Sequence, residues 1–197
     1  MVGAQAPPRH IFVIGGPNGA GKTTAAQVLL PEELELREFV NADEIARGLS
    51  PFNIEGVAMT AGRIMIDRMR ALVRAGESFA FETTCSGKQH AVWLKARKAE
   101  GWLITLHYLW LPTAEMAIER VSRRVAHGGH SIPEDVIRRR HAAGAQNMRR
   151  LYLPVADNAS IYDNSDGRLT LIANRVDNGD LVVHDRIRWA QIEETGR

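Results

Sequence analysis

The stretch His10-Ile11-Phe12-Val13-Ile14-Gly15, running directly into Gly16-Pro17-Asn18-Gly19-Ala20-Gly21-Lys22-Thr23, decides how this chain is read. The first six residues form a short apolar run closed by glycine, the pattern of a buried parallel strand. The next eight fit G-x-x-x-x-G-K-[ST] at every position. Glycines let the backbone turn tightly enough to aim its N–H groups at phosphate oxygens. A helix expected from Lys22 to Leu30, stopped by Pro31, adds its positive N-terminal end. A glycine-rich loop alone can be a plain turn; here strand, loop, Lys-Thr pair and helix agree. The stretch therefore predicts a nucleoside-triphosphate site. Gly16, Pro17, Asn18, Gly19, Ala20, Gly21, Lys22, Thr23 and Thr24 would surround the phosphates, with Lys22 reaching the β- and γ-phosphates and Thr23 holding Mg²⁺ through its hydroxyl. No Asn-Lys-x-Asp guanine-reading motif occurs, so ATP is the expected nucleotide.

Outward from this stretch, strands and helices alternate. Short strands are expected at 38–41, 78–83, 102–111 and 159–163, and helices at 43–49, 56–75, 89–100, 113–127 and 133–150. Gly76 closes the second of these helices, and Thr113 can cap the fourth. Asp177-Asn178-Gly179-Asp180 between two apolar runs signals a C-terminal β-hairpin, and a short helix with Trp189 follows. This alternation predicts an α/β chain with a mostly parallel sheet covered on both faces, in three layers. It is the P-loop NTPase plan, expected as a single domain over 1–197 with a helical lid at about 120–145. Ligands in such sheets bind outside the carboxyl ends of the strands.

At 197 residues the chain is long enough for one sizeable core and short for two. No apolar run approaches the roughly 18 residues of a membrane span. No leader-like apolar stretch precedes the first strand. The single cysteine, Cys85, excludes an internal disulfide. These features favour the cytoplasm and no membrane partner. A net charge of +2 is too mild for a nucleic-acid footprint, so nucleic acid is an unlikely partner. Lysine occurs only at 22, 88, 95 and 98, while arginines gather between Arg120 and Arg150. That cluster reads either as a solvated helix face or as a phosphate site.

A triphosphate loop does not separate a kinase from an ATPase; a kinase also needs a carboxylate beside the acceptor hydroxyl and cations around the phosphoryl group. Asn41-Ala42-Asp43 follows the second strand, which puts Asp43 at the sheet's carboxyl edge, able to accept a proton or, alternatively, to cap the next helix. Glu82 breaks the apolar run Phe79-Ala80-Phe81, and a buried carboxylate needs a partner or ligand. It is a candidate for Mg²⁺, through water, or for substrate hydroxyls; a structural ion pair is the plainer alternative. Thr83, Thr84, Ser86 and Lys88 would contact a substrate at the same edge. Cys85 among them is a bystander, since phosphoryl transfer needs no thiol.

Arg120 and Arg124 are four apart on one helix and share a face. Gly128 and Gly129 follow, then Arg138-Arg139-Arg140 on the next helix. Two helices joined by a glycine corner suit a lid that closes arginines over the nucleotide. Only one or two of the triple can face the site, and Arg140 is the choice. His127, His130 and His141 lack a metal-binding spacing and read as lid or surface side chains.

The ordered set Gly-Gly-Pro-Asn-Gly-Ala-Gly-Lys-Thr-Thr (15–24), Phe-Val-Asn-Ala-Asp (39–43), Phe-Glu-Thr-Thr (81–84), Gly-Gly-His-Ser-Ile-Pro (128–133) and Tyr-Asp-Asn-Ser (162–165) resembles the compact branch of the zeta toxin family. These P-loop kinases are related in fold to nucleoside-monophosphate kinases. The resemblance covers about residues 10 to 165. It implies Asp43 as catalytic base, Glu82 and the following threonines on the substrate side, Arg120 and Arg124 as the first lid arginines, and Arg140 as a later one. It implies an ATP-dependent transfer to a hydroxyl of a small-molecule acceptor, a UDP-sugar among the candidates, and a small antitoxin as partner. Two other functions remain open: an ATPase switch driving a protein, and a nucleic-acid end kinase tracking phosphates with its arginine helices.

Overall fold

The computed structural model describes residues 8–32 and 36–195; the N-terminal stretch read as lacking a leader falls mostly outside them. Seven strands form one sheet in the order β2-β3-β1-β4-β5-β6-β7. Their ranges are β1 His10–Gly15, β2 Phe39–Val40, β3 Phe79–Thr83, β4 Leu103–Trp110, β5 Asn158–Asp163, β6 Thr170–Arg175 and β7 Val182–Val183. The first five in that order run parallel, and β6 and β7 are antiparallel additions. The helices are α1 Lys22–Glu32, α2 Ala42–Leu49, α3 Ile54–Ala75, α4 Gln89–Ala99, α5 Ala114–Ala126, α6 Glu134–Asn147 and α7 Arg186–Glu194.

The expected fold class holds: an α/β sheet, mostly parallel, of the P-loop NTPase plan. Its two faces carry separate cores. Phe12, Ile14, Ala80 and Leu109 pack with Ala25, Ala26, Leu30, Ala117 and Val121 of α1 and α5. Ile11, Val13, Phe79, Phe81, Leu106 and Ile161 pack with residues of α3, α4 and α7. Successive strand residues point to opposite faces, and that alternation sorts the two sets.

Local chemistry sets several boundaries. Thr113 caps α5, its hydroxyl accepting from Met116 N, and Gly76 ends α3 in the left-handed region at φ 73°. The turn into β7 has Asp177 and Asn178 at φ 49° and 57°, with Gly179 N donating to Val176 O, as a primed hairpin turn requires. Three expectations are corrected. Pro31 lies within the last turn of α1, which runs on to Glu32. The helix expected to reach Arg150 is α only to Asn147 and continues as a π-helical turn, Met148–Tyr152. That wider turn keeps both Met148 and Tyr152 in the core, and brings the Tyr152 hydroxyl to Gly87 O at 2.9 Å. His141 is no surface histidine: it is buried, its Nε2 2.9 Å from Leu111 O.

The strand order places the site. β1 lies between β3, reached by crossing to one side, and β4, reached by crossing to the other. The loop after β1 therefore opens at the point where the winding reverses, where ligands of such sheets bind.

Candidate active site

The glycine loop fits a triphosphate by its shape. Gly16, Gly19 and Gly21 have φ of 143°, 76° and 80°. A Cβ on Gly16 would lie 2.3 Å from Leu109 O, and one on Gly19 2.8 Å from Ala117 O. Only glycine permits that backbone so close to its neighbours. Two contacts from later in the chain brace the loop. Asn164 Nδ2 donates to Ala20 O at 2.8 Å, and Arg120 reaches Gly19 O (3.5 Å) and Ser165 O (2.7 Å).

Lys22, 6% exposed, donates to Pro17 O at 3.0 Å and lies 3.4 Å from Glu82 Oε1. Thr23 Oγ1 donates to Glu82 Oε2 at 2.8 Å. Asn41 joins these groups to α2. Val40 is level with Phe81 across the sheet, so Asn41 falls beside Glu82. Its Nδ2 donates to Glu82 Oε2 at 2.9 Å and lies 3.4 Å from Thr23 Oγ1. Its Oδ1 accepts from Asp43 N and Glu44 N and so caps α2. Sequence reading allowed Asp43 that capping role; Asn41 holds it, and Asp43 sits in the first turn of α2. Among the described residues its carboxylate has no hydrogen bond or ion pair. Thr23 and Glu82 together offer two hard oxygen donors, a set that suits Mg²⁺, which keeps several waters.

A cavity of about 440 Å³ opens beside the loop. Asn18 and Lys22 line it from the loop, Asn41 and Asp43 from the start of α2, and Glu82, Thr83 and Thr84 from the end of β3. Arg140 lines it from α6 and lies 3.5 Å from Asn18 Oδ1. Of its neighbours in the triple, Arg138 pairs with Glu115 and Glu134 at the surface, and Arg139 is exposed. Arg124 braces the corner between α5 and α6, donating to His130 O at 3.3 Å. Ser86 and Lys88 do not line this cavity. Ser86 Oγ is 2.8 Å from Thr84 Oγ1, and Lys88 is exposed just before α4. Thr24 is exposed on α1. Burial pushes the Cys85 thiol up to about 12, so it stays neutral.

Several lining residues escaped the sequence reading. Met59, Gly62, Arg63, Met65 and Ile66 present one side of α3 to the cavity, and His90 joins them from α4. A signal existed: Met59 and Ile66 are apolar residues exposed at 73% and 42% on the otherwise polar side of an amphipathic helix. Asn41 was legible as an asparagine just before a helix, one of the favoured capping residues.

Residues 11–151 match the family AAA_33, described as an AAA domain. The chain belongs to that family. The match covers the loop, both carboxylate-bearing strand ends, and α5 and α6. A chain of the AvrRxo1-ORF1:AvrRxo1-ORF2 complex, solved with ATP, superposes with a TM-score of 0.75 over 98% of this chain at 18% identity. This chain spans 64% of that longer one. A chain from the PezAT chromosomal toxin–antitoxin system of Streptococcus pneumoniae superposes with a TM-score of 0.62 at 14% identity, covering 99% of this chain and 81% of that one. The resemblance read from the sequence is met in the fold. An uncharacterized protein of Haemophilus influenzae is 29% identical over 126 residues, 64% of this chain and 88% of its own length.

Proposed function

We propose that this AAA_33 protein is an ATP-dependent kinase that moves the γ-phosphoryl group to a hydroxyl of a small acceptor seated beside Asp43. One observation carries the reading: a single cavity is lined both by the phosphate-loop residues Asn18 and Lys22 and by Asp43, whose carboxylate makes no hydrogen bond or ion pair among the described residues. An ATPase switch does not need an acceptor-sized space with a free carboxylate in it. The ATP complex of the AvrRxo1 neighbour supports ATP as the donor.

The residues divide the work. The loop N–H groups and Lys22 hold the triphosphate. Mg²⁺, when bound near Thr23 and Glu82, would supply neutralising charge on the phosphates. Glu82 holds Lys22 and Thr23 in place, and Asn41 holds Glu82. Asp43 orients the acceptor hydroxyl and takes its proton as the new phosphorus–oxygen bond forms and the bond to ADP breaks. Arg140 stabilises charge on the transferring group, while Arg120 and Arg124, donating to the carbonyls of Gly19, Ser165 and His130, brace the loop and the corner between α5 and α6. Thr83 and Thr84 position the acceptor. UDP-sugars are the first acceptors to test, and the toxin–antitoxin setting of the PezAT neighbour supports a small antitoxin as protein partner.

The test is transfer of label from γ-labelled ATP, with Mg²⁺, to a panel of nucleotide sugars, nucleosides and oligonucleotides. Label on one small acceptor, lost in Lys22→Ala, is the expected result. Label appearing only as free phosphate would overturn the proposal in favour of an ATPase switch. Label on oligonucleotide ends alone would replace the acceptor class.

A further inference from the structure

One face of α3 runs past two cavities. Met59, Arg63, Ile66 and Arg70 follow at spacings of four, three and four, so they share that face. The first three line the cavity beside Asp43. Ile66 and Arg70 line a second cavity of about 360 Å³ between α3 and α4, with Met69, Gln89, His90 and Trp93 as its other walls. Ile66 and His90 belong to both, so the two spaces meet over a shared sill.

The second space is chemically unlike the first. Ile66, Met69 and Trp93 make it mostly apolar, and its one fixed charge, Arg70, is exposed and lies 3.5 Å from Asp67. The Trp93 ring is braced. Arg97 lies over it at 5.6 Å from the centroid, and Phe79 and Phe81 sit 6.4 and 6.3 Å away. His90 is held 5.2 Å from Phe81, and its burial lowers the imidazole pKa, so the sill carries no charge at neutral pH.

We propose that the α3–α4 groove is a second compartment of the acceptor site and takes a flat aromatic group attached to the acceptor alcohol. This rests on the kinase reading above. Adjacency to the Asp43 cavity, across the shared Ile66 and His90, favours an occupant that is part of the acceptor over a separate ligand. A rigid indole, a thioether and a branched aliphatic side chain make a slot suited to a ring, through ring contacts and sulfur–aromatic contact. An alcohol without the ring leaves Ile66 in water. Ile66 and His90 thereby become specificity-determining residues: they select acceptors by what lies beyond the reacting hydroxyl.

The experiment compares two probes with the same polyol head, phenyl and methyl β-D-ribofuranoside, by calorimetric binding to the full chain. The proteins are wild type, Ile66→Asp, Gln89→Trp and Val92→Asp. Ile66 is 42% exposed, so the aspartate has little core to disturb, and Gln89→Trp fills the groove mouth instead of charging it. Val92 is on the same helix as Gln89, 69% exposed and outside both cavities. The phenyl probe should bind at least about tenfold more tightly to wild type and Val92→Asp, as partial burial of a ring implies. That advantage should fall below about twofold in Ile66→Asp and Gln89→Trp. Equal affinity of the two probes for wild type, or an undiminished advantage in Ile66→Asp, overturns the proposal. Label transfer to some acceptor without a ring advantage leaves the kinase reading standing and sinks the groove. A ring advantage that Ile66→Asp removes, in a protein that transfers no label, upholds the groove and sinks the kinase reading.

Discussion

Replacing Asn41 separates the two tasks its amide performs. The side chain is 5% exposed. Its oxygen takes Asp43 N at 2.8 Å and Glu44 N at 3.4 Å, a cap worth about 1 kcal/mol. Its nitrogen donates to the Glu82 carboxylate at 2.9 Å, and a hydrogen bond to a charged group contributes roughly 1.5–3 kcal/mol. Asn41→Ala loses both, about 2–4 kcal/mol, which lowers Tm by about 5–15 °C for a chain of this size. Asn41→Ser keeps a cap oxygen and loses only the bond to Glu82, so its deficit is smaller by about 1 kcal/mol. Asn41→Asp also keeps the cap oxygen, but sets a second carboxylate against Glu82. Two such neighbours cannot both ionise cheaply, so one of them has a folded-state pKa raised above its unfolded value. A group raised in this way contributes stability below the unfolded pKa and loses it as pH rises through the folded one. The deficit of Asn41→Asp relative to wild type is therefore largest at about pH 7–8 and shrinks toward about pH 4–5. The assay is urea unfolding followed by circular dichroism across that range. Equal, pH-independent deficits for Asn41→Asp and Asn41→Ser would refute the link between Asn41 and Glu82.

Other consequences are as direct. Gly16→Ala places a methyl 2.3 Å from Leu109 O at φ 143°, so thermal melts should show a loss of about 3 kcal/mol or more together with loss of ATP binding. Asp43→Ala should cut transfer by about 10²–10⁴ while the Kd for ATP stays within about twofold; weakened ATP binding would argue against its role as base. Arg140→Ala should lower kcat by about 10²-fold with little change in Tm, whereas Arg139→Ala, at an exposed position, leaves both unchanged. His107 has both ring nitrogens buried without a partner among the described residues, and burial pushes its pKa down to about 4. A folded form that prefers neutral imidazole loses stability as pH falls below the usual histidine value, so His107→Leu should gain about 1 kcal/mol at pH 7 and more at pH 5.

The parts legible in the sequence are those set by neighbours along the chain. The apolar run into the glycine loop and the Lys-Thr pair needed no tertiary information, nor did the Thr113 cap, the Gly76 stop or the Asp177-Asn178 turn. The fold class followed from the alternation of periods. What stayed hidden depends on how elements sit against one another. Arg138, Arg139 and Arg140 point in three directions, and only the seating of α6 against the loop brings Arg140 to the cavity. His141 looks like its polar neighbours in sequence, yet it packs inward against Leu111. The cavity side of α3 reads as a solvent face, because a helix pattern does not distinguish water from a space that will hold a ligand. The π-turn at 148–152 answers a demand of the core for both Met148 and Tyr152, which no local propensity expresses.

The central claim is that one cavity serves both phosphate and acceptor, and single-turnover transfer from γ-labelled ATP with Mg²⁺ tests it most directly. Label should reach a small alcohol acceptor with wild type, about 10²–10⁴-fold more slowly with Asp43→Ala, and not at all with Lys22→Ala. Label released only as free phosphate, at the same rate in wild type and Asp43→Ala, would contradict it.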